Sequence, residues 1–238
     1  GKIDMVCLDQ WLGPAVWPML RETLLHLRSV CPDVMFRGRG IGNYGDYYTP
    51  EGFVPGSKEN SDTPWFVIYP LGDIFAYDSQ GAHYKGASWI VSNLIDAVSK
   101  GGGFMAAIGP DGNGMFHPVA VEQLKQTGAW LRINGEGIYA TRPREGDLWK
   151  EGDKIRFTRT KDNRTVYAFA FEWPGENLLL GSVKPRKKAD IHLLGVNESL
   201  TWHYDSGKGK LLIKTPAALK EKLGSTGRLG YCFRIPVL

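Results

Sequence analysis

Ile3-Asp4-Met5-Val6-Cys7-Leu8-Asp9 is a short apolar run that closes on a carboxylate. Downstream, from Ala15 to Val30, apolar residues recur at Val16, Leu20, Leu24 and Leu27, which is the spacing of one helix face. The two segments read as strand, loop and helix. Working outward, Asp33-Val34-Met35-Phe36 is the next strand and opens a long Gly- and Tyr-rich loop that runs to Thr63. Residues 65–69 form another strand, 86–99 an amphipathic helix stopped by Gly101-Gly102-Gly103, 104–108 a further strand and 118–133 a last helix. These strands are apolar without alternation, as expected of a parallel sheet covered on both faces.

After Arg142-Pro143 the pattern changes. Residues 154–160, 165–172, 177–183, 189–194, 199–204, 210–214 and 230–237 are short strand candidates separated by turn residues such as Lys161-Asp162-Asn163 and Ser206-Gly207-Lys208-Gly209. Short strands at this density indicate an antiparallel β-sandwich. The chain therefore reads as α/β plus all-β, with a first region over 1–145 and a β-sandwich domain over 146–238. About four βα units are too few to close an eight-stranded barrel. The first region is thus either an open sheet or the C-terminal half of a (β/α) TIM-like barrel, its other half expected upstream of this sequence.

Composition narrows the function. Of the 238 residues 42% are hydrophobic and 12% aromatic, which excludes a disordered chain. Lys and Arg number 29 against 25 Asp and Glu, and the net charge of +4 is too small and scattered for a nucleic-acid footprint. The basic run Lys184-Pro185-Arg186-Lys187-Lys188 reads as a solvated loop. No stretch reaches the ~18 consecutive apolar residues of a membrane span. Cys7, Cys31 and Cys232 have no metal-binding or disulfide spacing and read as small buried hydrophobes. The histidines include no i, i+4 pair, so no metal is expected. Gly40-Ile41-Gly42-Asn43-Tyr44-Gly45 matches the dinucleotide fingerprint in letters only, because Pro50 follows where a helix should open.

The carboxylates are more informative. Reactive groups in a parallel α/β sheet come from the C-terminal strand ends and the loops beyond them. Asp9 stands at one such end, and Glu51 lies on the loop after the next strand. Two carboxylates delivered to one face, about 5–5.5 Å apart, can serve retaining glycoside hydrolysis as nucleophile and acid/base. Trp11, Trp17, Tyr44, Tyr47, Tyr48, Trp65 and Tyr69 gather around the same loops, and sugar C–H faces stack on such rings. Each feature has a plainer use: an aspartate after a strand more often forms a cap or turn, and a single ring more often packs in a core.

Several phrases together resemble the retaining α-L-fucosidases of glycoside hydrolase family 29. They are Asp4-Met5-Val6-Cys7-Leu8-Asp9, Gly45-Asp46-Tyr47-Tyr48-Thr49-Pro50-Glu51, Leu94-Ile95-Asp96-Ala97-Val98-Ser99-Lys100-Gly101-Gly102, Ile108-Gly109-Pro110-Asp111-Gly112 and the run from Gly128-Ala129-Trp130 to Thr141-Arg142-Pro143. The resemblance implies an exo-acting glycoside hydrolase with Asp9 as nucleophile, Glu51 as acid/base and Arg39 as a sugar contact. Trp11 and Trp65 are the candidate stacking residues. It implies a fucosylated glycan as substrate, no cofactor, no nucleic-acid or membrane partner, and an extracellular, periplasmic or lysosomal setting. Self-association, or pairing with an N-terminal half, is expected to complete the barrel. The alternative is a non-catalytic carbohydrate-binding or scaffold protein. Departures from the family pattern are Cys7 where Trp is common, Trp65-Phe66-Val67 for Trp-Glu-Thr, and Gly103-Phe104-Met105-Ala106-Ala107 for Gly-Asn-Leu-Leu-Leu-Asn.

Overall fold

A computed structural model describes residues 2–9, 13–55 and 63–237. Its first region contains β1 (Met5–Val6), α1 (Trp17–Val30), β2 (Met35–Phe36), β3 (Phe66–Pro70), α2 (Ala87–Ser99), β4 (Gly103–Ala107) and α3 (Pro118–Asn134). Pro18 lies in the first turn of α1, where its fixed φ suits the helix and its missing N–H costs nothing. Leu24 of that helix packs with Val34, Phe36 and Ile41, and Val6 and Leu8 lean on the same cluster. Helix α1 therefore folds back over β1 and β2, which pair in parallel with Met5 opposite Met35 and Val6 opposite Phe36.

The parallel arrangement continues through a segment without a helix. Parallel bridges join Arg37 to Tyr47, Tyr48 to Trp65 and Glu51 to Ile68, so residues 47–51 lie between β2 and β3. Strands β3 and β4 then pair in parallel from Phe66–Gly103 to Pro70–Ala107. A crossover between parallel strands ordinarily needs a dozen or more residues. Here the glycine-rich loop manages it with one 3-10 turn, Gly42–Tyr44. A Cβ on Gly45 would meet the Gly38 Cα at 2.3 Å, so the loop closes by backbone-on-backbone contact. Of the fingerprint-like run, Gly45 serves that contact, while Gly40 and Gly42 take the positive φ values the turn requires. Where the sequence reads as one loop from Phe36 to Thr63, residues 47–51 instead run extended between β2 and β3, too briefly and too irregularly paired to show a strand period.

The second region adds β5 (Thr141–Pro143), β6 (Lys150–Glu151), β7 (Ile155–Thr160), β8 (Thr165–Ala170), β9 (Asn177–Leu180), β10 (His192–Leu193), β11 (Trp202–Asp205), β12 (Lys210–Lys214), α4 (Ala217–Lys222) and β13 (Tyr231–Pro236). One antiparallel sheet runs β10-β13-β8-β7-β5, with β6 also on β7, and a second runs β11-β12-β9. Their facing side chains share one core that includes Phe157, Val166, Ala168, Ala170, Leu180 and Ile213. All seven expected strand regions contain strands. The additional β5 and β6 are too short to show alternation, and Pro143, lacking an N–H, is tolerated because β5 is an edge strand. The run Lys184–Lys188 lies mostly exposed, as a loop.

Strand β8 locks the two regions together. Val166, Ala168 and Ala170 face the sandwich core, whereas Tyr167 and Phe169 point the other way, into a cluster with Val91 and Ile95 of α2 and Trp130 of α3. Trp130 is completely buried, and its indole N–H donates to the Gly230 carbonyl at 2.8 Å. Gly137 comes so close to Phe169 and Cys232 that a Cβ would sit 2.7 and 2.8 Å from their side chains. Trp130→Phe keeps most of the ring and removes the only N–H it offers. We expect a loss of about 1–3 kcal/mol, read from the midpoint of denaturant unfolding, with secondary structure unchanged.

Candidate active site

The C-terminal ends of β1 and β2 and the 47–51 segment meet at four charged side chains. Arg37, immediately after β2, is buried, with 2% of its side chain exposed. Its Nη1 donates to Asp9 Oδ1 and its Nη2 to Glu51 Oε1, both at 2.9 Å. Arg39 repeats the pattern from the half-exposed side, donating from Nη1 to Asp9 Oδ1 and from Nη2 to Glu51 Oε1, both at 2.6 Å. Two guanidinium groups thus bridge the same two carboxylates. Alternation explains the arrangement: Arg37 and Arg39 flank Gly38 and share one face, as Cys7 and Asp9 do across Leu8.

Neighbouring contacts hold the strand ends in place. The Tyr47 hydroxyl donates to the Val6 carbonyl at 3.1 Å, reaching across β2. Asp46 Oδ2 accepts from the Phe36 N–H and from Arg28 Nη2 of α1, both at 2.8 Å. The Ile68 N–H donates to the Pro50 carbonyl at 3.0 Å and fixes the level of Glu51 against β3.

Burial works against the charged form of Glu51, but hydrogen bonds from Arg39 and Arg37 and the nearness of their charges outweigh it, holding the carboxyl below the usual range. For Arg37, burial again opposes the charge, while its bonds to Glu51 and Cys7 and the Asp9 charge hold the guanidinium above its ordinary value. Both members of this pair are therefore ionised through the neutral range.

Of the residues singled out from sequence, Asp9, Glu51 and Arg39 come together. Trp11 lies outside the described residues. Trp65 is a correction: it is 9% exposed, packs with Val67 and Ala97, and its ring lies where a Cβ on Gly102 would meet it at 2.3 Å. It precedes β3, three residues short of the Glu51–Ile68 level, and fills the core. Other rings are likewise taken: Trp17 stands edge-on to Tyr44, Tyr47 stacks on Phe66, and Tyr69 meets Trp89 and Phe104. Cys7 is a second correction, exposed because it shares the face of Asp9. Its Sγ accepts from Arg37 Nη1 at 3.4 Å. Sequence reasoning missed Arg37 itself; the signal was an Arg-Gly-Arg alternation directly after an apolar strand.

Fold and site define a class: an α/β region presenting a carboxylate pair at the C-terminal ends of parallel strands, followed by an antiparallel β domain. The chain belongs to the alpha-L-fucosidase family. The family's catalytic model matches residues 16–136, and the model of the alpha-L-fucosidase C-terminal domain matches 150–236. Tissue alpha-L-fucosidase of Homo sapiens is 36% identical over 180 residues, covering 73% of this chain and 37% of that protein. The Bos taurus protein of the same name is 33% identical over 159 residues, covering 64% of this chain and 33% of its own length. The chain thus spans about a third of these curated relatives. Among solved structures, alpha-L-fucosidase isoenzyme 1 from Paenibacillus thiaminolyticus superposes with a TM-score of 0.84 at 21% identity, covering 100% of this chain and 58% of that one. Thermotoga maritima alpha-fucosidase in complex with a mechanism-based inhibitor gives 0.79 at 24% identity, covering 98% and 52%. These two superpositions speak to the fold. Glu51, Arg37 and Arg39 lie inside the family match; Asp9 lies before it.

Arg39→Gln removes the larger of the two hydrogen-bond influences on Glu51 and should move its carboxyl pKa up toward the ordinary value of about 4.3. A carbon-13 titration of the Glu51 carboxyl reads the shift directly. A carboxyl whose pKa is lower folded than unfolded stabilises above the unfolded value and loses that stabilisation as pH falls through the folded one. Wild-type stability should therefore fall more steeply with acid below the ordinary glutamate range than that of Arg39→Gln.

Proposed function

We propose that this chain is the C-terminal part of a retaining α-L-fucosidase in which Asp9 is the nucleophile and Glu51 the acid/base. The observation that carries this reading is the double arginine bridge, which brings carboxylates from either side of β2 to one spot. In the first step an Asp9 oxygen bonds to the anomeric carbon, the bond to the leaving oxygen breaks, and Glu51 gives that oxygen its proton. In the second, Glu51 takes a proton from water, whose oxygen displaces Asp9 and restores the original configuration.

The arginines suit the two carboxylates differently. Asp9 must be ionised to attack, and the bridge favours that. Glu51 must first gain a proton, and so must part from a guanidinium. Arg39, half-exposed on its stem, is the one free to turn toward sugar hydroxyls. Without its hydrogen bonds the Glu51 pKa rises and the acid can form.

On this reading residues 1–145 are the C-terminal half of a (β/α) barrel, and residues 146–238 are a β-sandwich without catalytic groups. Met5, Met35 and Met105 support the half barrel: they are 44%, 41% and 47% exposed on strands whose other face packs on helices. Among the described residues β1 pairs only with β2, and β4 only with β3. Open edges and an uncovered apolar face call for further polypeptide, either a preceding half barrel or a second copy.

Hydrolysis of an aryl α-L-fucoside tests the function. Asp9→Gly should lose activity by at least about three orders of magnitude, and azide should restore turnover with β-L-fucosyl azide as product. Glu51→Ala with azide should instead give the α-azide, since the glycosyl-enzyme then forms first. Fucose binding with no turnover in any form would favour the non-catalytic alternative.

A further inference from the structure

The two regions enclose a cavity of about 220 Å³ far along the chain from the carboxylate pair. Its wall carries Lys100 at the C-terminus of α2, Arg144 just after β5, Arg159 of β7 and the ring of Trp149. Glu145 is the one carboxylate on the wall and is exposed. Lys100 is already neutralised, its Nζ lying 2.7 Å from Asp96 Oδ2, and Asp96 also holds Arg156 at 2.6 Å. Glu151, the other nearby acid, is occupied by the N–H groups of Gly181 and Ser182 and by the Ser182 hydroxyl.

That leaves Arg144 and Arg159 without a direct ion pair, Glu151 acting on Arg144 only through space and through the Ser182 hydroxyl they share. Arg144 donates only to neutral oxygens, the Leu148 carbonyl and the Ser182 hydroxyl and carbonyl. Arg159 has one long bond, 3.4 Å, to the Thr160 carbonyl. Neither takes part in an ion pair among the described residues. Burial pulls the Arg144 pKa down, and the Glu151 charge offsets only part of that. Arg142 and Arg159 stand directly opposite each other across β5 and β7, a like-charge pairing that weakens a sheet unless an anion comes between them. The Trp149 side chain is 6% exposed, and its indole N–H has no hydrogen-bond partner. Trp149 lines the cavity, and its unpaired donor is closed off from water, so a bound acceptor would reach it once the ring turns slightly and would recover the cost of leaving it unpaired.

We propose that this cavity binds a tetrahedral oxyanion, a sulfate or phosphate group, through Arg159, the unused donors of Arg144 and the Trp149 indole N–H. Guanidinium forks match such oxygens in geometry as well as charge. The cavity falls below the roughly 300–1,000 Å³ of ordinary small-molecule pockets, which suits a small anionic group. The ligand is either a free ion or an ester group whose carrier stays outside. Because the site lies between α2 and the antiparallel sheet, occupancy ties the two regions together.

The test is a proton–nitrogen NMR titration of the full chain, with the Trp149 indole signal assigned by Trp149→Phe. Sodium sulfate, sodium phosphate and glucose 6-phosphate are compared with chloride at constant ionic strength. Sulfate or phosphate should shift the Trp149 indole signal to saturation and raise Tm by at least about 2 °C. Arg159→Gln should weaken binding about tenfold or more, whereas Arg186→Gln, in the exposed 184–188 loop away from the cavity, should leave it unchanged. Saturation by glucose 6-phosphate identifies an ester group as admissible; saturation by the inorganic ions alone identifies a free ion. A response that matches chloride, or one undiminished in Arg159→Gln, overturns the proposal.

Discussion

Arg37 carries a permanent charge where water barely reaches, with 2% of its side chain exposed. Burying an unpaired charge of this kind costs several kcal/mol, so the fold is stable only if partners are brought to it. Those partners are Asp9, delivered by β1, and Glu51, delivered by the 47–51 segment on the other side of β2. Each must arrive at the right level. A shift of one residue in either pairing would turn the carboxylate to the opposite face and strand the guanidinium. The parallel register of the first region and the electrostatics of the site are thus one constraint.

Much of the remaining first region serves that register. The glycine-rich loop brings the chain back to β2 without a helix, Arg28 and Asp46 pin its end, and Tyr47 ties it to β1. The antiparallel domain contributes at a distance. By holding α2 and α3 through Trp130, Tyr167 and Phe169, it fixes the helices on which β3 and β4 rest.

The sequence made the strongly patterned elements legible. Helix α2 was bounded by its glycine stop, and β8 fell within the strand expected over 165–172. Elements of two or three residues, such as β5 and β6, carry too few side chains to show a period. Asp9 was legible as a strand-end residue and Glu51 as a loop residue, but the arginine bridging that joins them was not, because long-range bridging depends on which segments become neighbours. Arg37 was overlooked for a related reason: its burial depends entirely on two partners 28 and 14 residues away. Trp65 erred in the other direction, since a ring suited to stacking on sugar is equally suited to a core, and the contact with Gly102 decides for the core.

The central claim is that the pair bridged by Arg37 and Arg39 performs the displacement chemistry, with Asp9 attacking carbon. Incubation of the chain with a 2-deoxy-2-fluorofucosyl fluoride, followed by intact-mass measurement and peptide mapping, tests it most directly. The account predicts one fluorofucosyl adduct, carried by Asp9 and absent in Asp9→Gly. A label on a different carboxylate, or fucoside turnover with Asp9 unlabelled, would contradict it.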